Sequence, residues 1–355
     1  MYALIFVSGL GSLLGCLALV FSLRLHGRFS LDPMAGVQKV HVTPTPRVGG
    51  VAVFIALVLA DLTLANTASG SFLTMLLLAA LPTFFLGLYE DLFKKGGVTV
   101  RLLGTFISAS LGLLLLQIGL SRVDVLGIDS VIQHWPLFGS VFTVFAVAGV
   151  TNAFNIIDGA NGLSSGAGVI SSLALAGIAY SVGDAVLLPV CLALAAATLG
   201  FWLVNFPWGK LFLGDSGAYL VGFLIAWLAV LLVERNPDVS AWAPLLACAY
   251  PVIESVFTII RRLQKRGFFG DPDRLHLHSL LLHRVMAKNL RQAHPAIQNA
   301  CSSVPLLLVH GLLGALAVLF YSETALLGLA FFAACVAYWV WYLRIIRFGS
   351  EYQLR

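Results

Sequence analysis

Long apolar runs separated by short polar connections dominate the chain. About 20 residues suffice to cross roughly 30 Å of hydrocarbon, allowing for tilt and polar ends. On that criterion eleven spans are predicted, near residues 3–23, 48–65, 72–89, 100–120, 138–151, 163–181, 186–204, 213–233, 242–260, 303–321 and 326–343. The pattern is that of an all-α polytopic membrane protein, one integral-membrane domain over 1–355 with a large polar loop, 261–300, inside it. Glu254 sits in the ninth run just after Pro251, which predicts a kinked helix with the carboxylate turned inward. Residues 121–136 alternate weakly and carry turn residues, predicting a small hairpin without chemistry.

Composition supports this reading. Hydrophobic residues make up 59%, charged residues 10%, and the mean hydropathy is +0.96, against about a quarter charged residues in a soluble domain. Met1 to Phe21 has neither a basic leader nor a clear small-residue cleavage site, so it reads as the first span rather than a secretory signal. Cys16, Cys191, Cys248, Cys301 and Cys335 lie singly in apolar segments, as small buried hydrophobes do, and suggest neither a disulfide nor a metal site.

Charge then orients the chain. With the N-terminus outside and the C-terminus cytoplasmic, 19 of the 21 Lys and Arg residues fall in inner connections, and only Arg122 and Arg235 fall outside. The net charge of +5 is therefore mostly a topology signal and does not argue for nucleic acid.

Several inner connections are too polar to be mere links. Lys39, His41 and Arg47 precede Gly49 and Gly50 in a loop stiffened by Pro44 and Pro46. They could meet a phosphate at the membrane surface or simply follow the positive-inside rule. Glu90 and Asp91 end the third span side by side, a costly arrangement unless a cation, a proton or Lys94 and Lys95 compensates. Asn152, Asn155, Asp158 and Asn161 recur every three residues and could converge on one ligand, or could form a solvated turn. Asp215 starts the eighth span, as an N-cap or as a ligand of Mg²⁺, and Phe212 before it suits stacking on a base or interfacial anchoring. In the last large loop, His276 and His278 have the wrong spacing for a helical zinc pair and suit phosphate or sugar contacts, unless the loop is only a basic surface beside anionic lipid.

All these clusters are predicted on the cytoplasmic face, with little at the midplane beyond Glu254, which argues against a transporter. Carboxylates beside basic groups, Asn amides and His suit phosphoryl transfer between a soluble nucleotide donor and a lipid acceptor.

Five motifs occur in order: PTPRxGG (Pro44 to Gly50), Gly87-Leu-Tyr-Glu-Asp-Leu with Arg101 downstream, NxxNxxDGxxGL (Asn152 to Leu163), FxGDxG (Phe212 to Gly217) and DxxRxHxH (Asp271 to His278). Together they resemble the polyprenyl-phosphate N-acetylhexosamine-1-phosphate transferases. The resemblance implies a multi-pass protein of the bacterial inner membrane that moves a sugar 1-phosphate from a UDP-sugar to undecaprenyl phosphate. UMP is released, Mg²⁺ (or Mn²⁺) is required, and the product begins an envelope glycan such as O-antigen. Membrane lipid and, as a candidate assembly, a homodimer complete the expected partners. By position, Asp91, Glu90, Asp158, His276 and His278 become the candidate catalytic set, and Asp215 and Asp91 the candidate metal ligands. Lys39, His41, Arg47, Arg101, Asn152, Asn155, Asn161, Phe212, Arg262 and Arg274 become the candidate substrate contacts.

Three positions depart from the family's usual pattern: Glu90 for Asp, Asn161 for a second Asp, and Ser279 for a further His. Asp91 is therefore favoured over Glu90, and Asn161, lacking charge, is not expected on a metal. A phosphate monoester has its second pKa near 6, so the lipid nucleophile is already largely dianionic at neutral pH. Asp91 is thus expected to orient the acceptor and metal, with general base as the alternative. The basic run Arg261 to Arg266 resembles the GlcNAc branch and points to UDP-GlcNAc. A deoxy-N-acetylhexosamine donor (FucNAc or QuiNAc), a non-catalytic homologue and a lipid transporter are the alternatives.

Overall fold

A computed structural model describes residues 1–32, 44–95, 97–264 and 275–350, the last four of these without their side chains. In chain order the helices are α1 (Tyr2–Phe21), α2 (Leu23–Ser30), α3 (Gly49–Thr63), α4 (Ala68–Phe93), α5 (Val98–Leu116), α6 (Ile128–His134), α7 (Pro136–Ile156), α8 (Leu163–Ser181), α9 (Leu187–Asn205) and α10 (Gly214–Arg235). They continue with α11 (Trp242–Ala247), α12 (Ala249–Gln264), α13 (Leu277–Leu281), a π-helical turn (Leu282–Met286), α14 (Ala287–Asn289), α15 (Pro295–Leu319) and α16 (Thr324–Ser350). Two short strands, β1 (Leu31–Asp32) and β2 (Thr45–Pro46), pair antiparallel.

Each predicted span has a helical counterpart, but they are not equivalent. Among the described residues nine helices are long and apolar enough to cross a membrane, and α3 is a shorter apolar helix. The predicted ninth span is broken at Cys248 into α11 and α12, just ahead of the Pro251 that was expected to kink it. In α12 the usual amphipathic pattern is inverted: Val256, Ile259, Ile260 and Leu263 are exposed, while Glu254, Thr258 and Arg261 are buried. Such a helix offers its apolar side to lipid and its polar side to the protein.

The core is built around α10, whose apolar residues run all the way round it and are buried over almost its whole length. A helix apolar on every side has no solvent face to present and so occupies the centre. It packs against α3, α4, α7 and α8. With Asp215 in its first turn and Arg235 in its last, α10 joins two polar layers about 30 Å apart at 1.5 Å per residue.

The layer at the C-terminal end of α10 differs from expectation. Residues 121–136 form no hairpin; a loop leads into α6. Arg122 fastens that loop: its Nη2 donates to the carbonyls of Val239 (2.7 Å) and Pro237 (3.0 Å), and its Nη1 pairs with Asp124 (2.7 Å). Arg235 pairs with Asp184 at 2.9 Å. The two arginines that broke the charge bias thus have structural work at this end: a cation beside carbonyls at a helix C-terminus is favourable. The predicted 261–300 loop is also more ordered than expected in its described part, which turns through α13, the π turn and α14, while α15 begins at Pro295.

Candidate active site

The other end of α10 is assembled from four segments distant in sequence. Segment 46–50 is zipped to the turn before α10: Phe212 N donates to the Pro46 carbonyl (2.8 Å), Gly49 N to Phe212 O (3.0 Å) and Gly50 N to Leu213 O (2.9 Å). At Gly214 the backbone adopts φ +76°, and a side chain there would collide with the Arg47 carbonyl and the Asp91 carboxylate. Glycine is therefore needed at that position for both its conformation and its lack of bulk.

Asp91, at the end of α4, is buried to 1% exposure. Its Oδ1 accepts from the Asp215 backbone N–H (2.8 Å), and its Oδ2 from the Ser216 N–H (3.0 Å) and hydroxyl (2.7 Å). The buried donors at the start of α10, which have no partner within the helix, are thus satisfied by a carboxylate from another helix, in the manner of an N-cap. Asp215 is not itself the cap; it lies one residue inside the helix. Asp91 is accordingly a group that fixes the first turn of α10, a role different from the expected one of orienting acceptor and metal, and both of its oxygens are already engaged.

Asp215 is the hub. Oδ1 accepts from Arg47 Nη2 and Asn155 Nδ2, both at 3.1 Å, and Oδ2 pairs with Arg101. Arg47 Nε also lies 3.8 Å from Asp91 Oδ1. Asp158 follows in the turn after α7. It retains some exposed surface, yet atoms crowd its carboxyl, and this burial pushes its pKa well above the usual carboxylate range. Arg47 opposes the rise, and Asp215 and Asp91 reinforce it. Next to it, a side chain at Gly159 would run into His278 Nε2, so that residue lets the histidine reach the turn. The His276 and His278 rings lie parallel, 5.6 Å apart.

Not every predicted residue converges. Asn152 instead bridges helices, its Nδ2 donating to Thr105 Oγ1 (2.9 Å) and the Ala148 carbonyl (2.8 Å). Asn161 Nδ2 donates to the Pro207 carbonyl (3.0 Å), its backbone N–H to Asn299 Oδ1 (2.6 Å), and its carbonyl accepts from Ser303 (2.8 Å). The cause is where α7 ends: Asn152 lies one three-residue step, about 60° round the helix, from Asn155, whereas Asp158 and Asn161 lie in the turn beyond Ile156 and follow its path. Asn161 is a latch between the central turn and α15, and its donor is one an aspartate would lack. Glu90 is half-buried, within electrostatic reach of Arg101. Phe212 and Arg262 are half-buried. Lys39, His41 and Arg274 lie outside the described residues. Sequence reasoning missed Ser216, although it stands inside the FxGDxG motif, and it missed Asn205, which accepts from Gly162 N at 2.5 Å.

Among the described residues no three His, Cys, Asp or Glu side chains are gathered into a metal cage. What is present is a pair of hard oxygen donors, Asp215 and, within its electrostatic reach, Asp158. Such a set fits Mg²⁺, which takes one or two carboxylates and fills its shell with water and substrate phosphate oxygens, better than it fits zinc.

Fold and site together define a multi-pass membrane protein with carboxylates, arginines and histidines gathered at one end of the bundle. Residues 73–233 match the model of glycosyl transferase family 4. The chain is 31% identical over 260 residues to the probable undecaprenyl-phosphate N-acetylglucosaminyl 1-phosphate transferase of Bacillus subtilis, covering 71% of this chain and 69% of that one. It is 28% identical over 279 residues to the undecaprenyl-phosphate alpha-N-acetylglucosaminyl 1-phosphate transferase of Escherichia coli K12, covering 75% and 73%. A third relative, the decaprenyl-phosphate N-acetylglucosaminephosphotransferase of Mycobacterium tuberculosis H37Rv, is 30% identical over 276 residues, covering 69% and 67%. The chain belongs to the polyprenyl-phosphate N-acetylhexosamine-1-phosphate transferase family.

Proposed function

We propose that this protein transfers GlcNAc 1-phosphate from UDP-GlcNAc to undecaprenyl phosphate at the cytoplasmic face of a bacterial inner membrane. An oxygen of the lipid phosphate attacks the β-phosphorus of the donor, the bond from that phosphorus to the bridging oxygen breaks, and UMP leaves. The product is the first lipid-linked intermediate of an envelope glycan such as O-antigen. The observation that carries the reading is Asp215, held in the first turn of α10 between Arg47, Arg101 and Asn155. The activities of the relatives named above agree with it.

In this reading Arg47 and Arg101 leave Asp215 for the diphosphate oxygens, which guanidinium groups match in charge and planar geometry. Asp215, supported by Asp158, would then hold Mg²⁺ or Mn²⁺, which when bound neutralises charge developing on the phosphates. Asn155 would contact the nucleoside side of the donor, and Phe212 would stack on uracil. Asp91 holds the start of α10 and so the direction of Asp215; no proton need be taken from an acceptor that is already a dianion.

The test is UMP release by purified protein in detergent with undecaprenyl phosphate, Mg²⁺ and a panel of UDP-sugars. Release that needs the lipid and is greatest with UDP-GlcNAc supports the proposal. Release greatest with UDP-FucNAc or UDP-QuiNAc would move the donor to a deoxy sugar, and no release with any donor from protein that still binds UDP-GlcNAc would sink the enzymatic reading.

A further inference from the structure

Glu254 is a carboxylate on the buried polar side of α12, 1% exposed, and nothing in the proposed chemistry uses it. An ionisable group at such depth is costly and marks a function unless its partners say otherwise. Here the partners come from three elements. His276 Nδ1 lies 3.0 Å from Glu254 Oε1, while Oε2 accepts from the Tyr338 hydroxyl on α16 at 2.8 Å and from the Leu277 backbone N–H at 3.3 Å. Thr258, one turn further along α12, places its hydroxyl 3.3 Å from the same His276 nitrogen. Phe257 packs edge-on against Tyr338 and Tyr342, with ring centroids 5.2 and 4.6 Å away, so the α12–α16 contact holds the carboxylate in place.

These contacts have a definite chemical consequence. A carboxylate accepting from Nδ1 keeps the proton of a neutral imidazole on Nδ1 and fixes the orientation of the ring. Nε2 lies on the far side of the ring from Glu254. The His278 ring lies parallel to that of His276, 5.6 Å away, and its Nε2 approaches Gly159 in the turn that holds Asp158.

We propose that Glu254 is a positioning residue for transfer: it fixes the tautomer and orientation of His276, so that Nε2 is presented to the phosphates of the bound substrates. The role rests on the transferase reading above, while the Glu254–His276 pairing can be tested without it. Tyr338 is the outer support of this arrangement, one step further from the histidine.

The experiment pairs turnover with a direct view of the ring. In protein labelled with ¹⁵N-histidine, long-range ¹H–¹⁵N correlation spectra report the tautomer of each imidazole, and His276→Gln identifies the His276 signals by their loss. Glu254→Gln keeps the shape but offers one acceptor oxygen in place of two. It is expected to move His276 away from the Nδ1-protonated pattern and to lower kcat about 10- to 100-fold, the usual range for losing the group that orients a functional histidine, with KM for UDP-GlcNAc nearly unchanged. Glu254→Asp should restore part of both, and Tyr338→Phe, which leaves the His276 contact in place, should cost less than Glu254→Gln. An unchanged His276 pattern in Glu254→Gln would overturn the proposal, as would equal losses in Glu254→Gln and Tyr338→Phe, which indicate packing alone. Absence of UMP release from the unaltered protein would count against the transferase reading, leaving the spectra to decide the pairing.

Discussion

Replacing Asp91 by Asn tests the arrangement at the start of α10. The aspartate accepts three hydrogen bonds from that helix's first turn, at 2.7–3.0 Å, in a position that is 1% exposed. Asparagine keeps one acceptor oxygen and turns an NH₂ toward a backbone N–H. A buried donor left without a partner costs about 1–3 kcal/mol, and losing a negative charge at a partly buried helix N-terminus costs up to about 2 kcal/mol. Together the change should destabilise the protein by about 2–4 kcal/mol, more than Ser216→Ala, which removes a single hydroxyl donor worth about 1 kcal/mol. Thermal unfolding in detergent micelles should show the order wild type, Ser216→Ala, Asp91→Asn, with UMP release falling in the same order because Asp215 moves with the helix. An Asp91→Asn protein that unfolds at the wild-type temperature would refute this reasoning. Its carboxylate would then be free of structural work, and any loss of turnover would have to be chemical.

Three further outcomes follow from particular contacts. Arg122→Ala removes the donor to the Val239 and Pro237 carbonyls, about 30 Å along α10 from Asp215; unfolding should occur at lower temperature by the equivalent of about 1–2 kcal/mol, with kcat unchanged. Asn161→Asp deletes the donor to the Pro207 carbonyl and sets an anion against it; the variant should lose about 1–3 kcal/mol of stability and gain no activity, whereas a more active variant would restore Asn161 to the substrate site. Burial tends to raise the Asp184 carboxyl, but hydrogen bonds from Arg235, the Leu187 N–H and Asn236 outweigh it and hold the pKa below the usual carboxylate range. A depressed folded-state pKa means its stabilisation is present above the unfolded value, near 4, and is lost as pH falls through the folded one. Acid unfolding curves below about pH 4 should therefore flatten in Asp184→Asn.

The sequence carried the placement of the spans well, because lipid imposes a length and a composition on each. It also carried which polar groups come together, since Arg47, Asp91, Arg101, Asn155 and Asp215 stand at the ends of apolar helices and do meet. What escaped it depends on contacts between distant elements. Nothing near Asp91 shows that its partner is the first turn of α10, 124 residues away. Tyr338 reaches Glu254 from a helix 84 residues on and has no local signature. The three-residue spacing of Asn152 to Asn161 misled for a different reason: helical pitch sets Asn152 about 60° round α7 from Asn155, and the helix ends at Ile156, so Asn161 follows the turn beyond it. Weak alternation in 121–136 likewise could not reveal that Arg122, rather than strand pairing, organises that loop.

Sugar 1-phosphate transfer, as opposed to transfer of the sugar alone, is tested most directly by the fate of the donor's β-phosphorus. Purified protein would be given UDP-GlcNAc carrying ³²P at the β-position, with undecaprenyl phosphate and Mg²⁺, and the lipid and aqueous phases counted, with Asp215→Asn in parallel. The account predicts that the label enters the lipid phase in step with UMP release, and that the variant loses both. Label that stays in water as UDP while sugar reaches the lipid, or lipid labelling undiminished in Asp215→Asn, would contradict it.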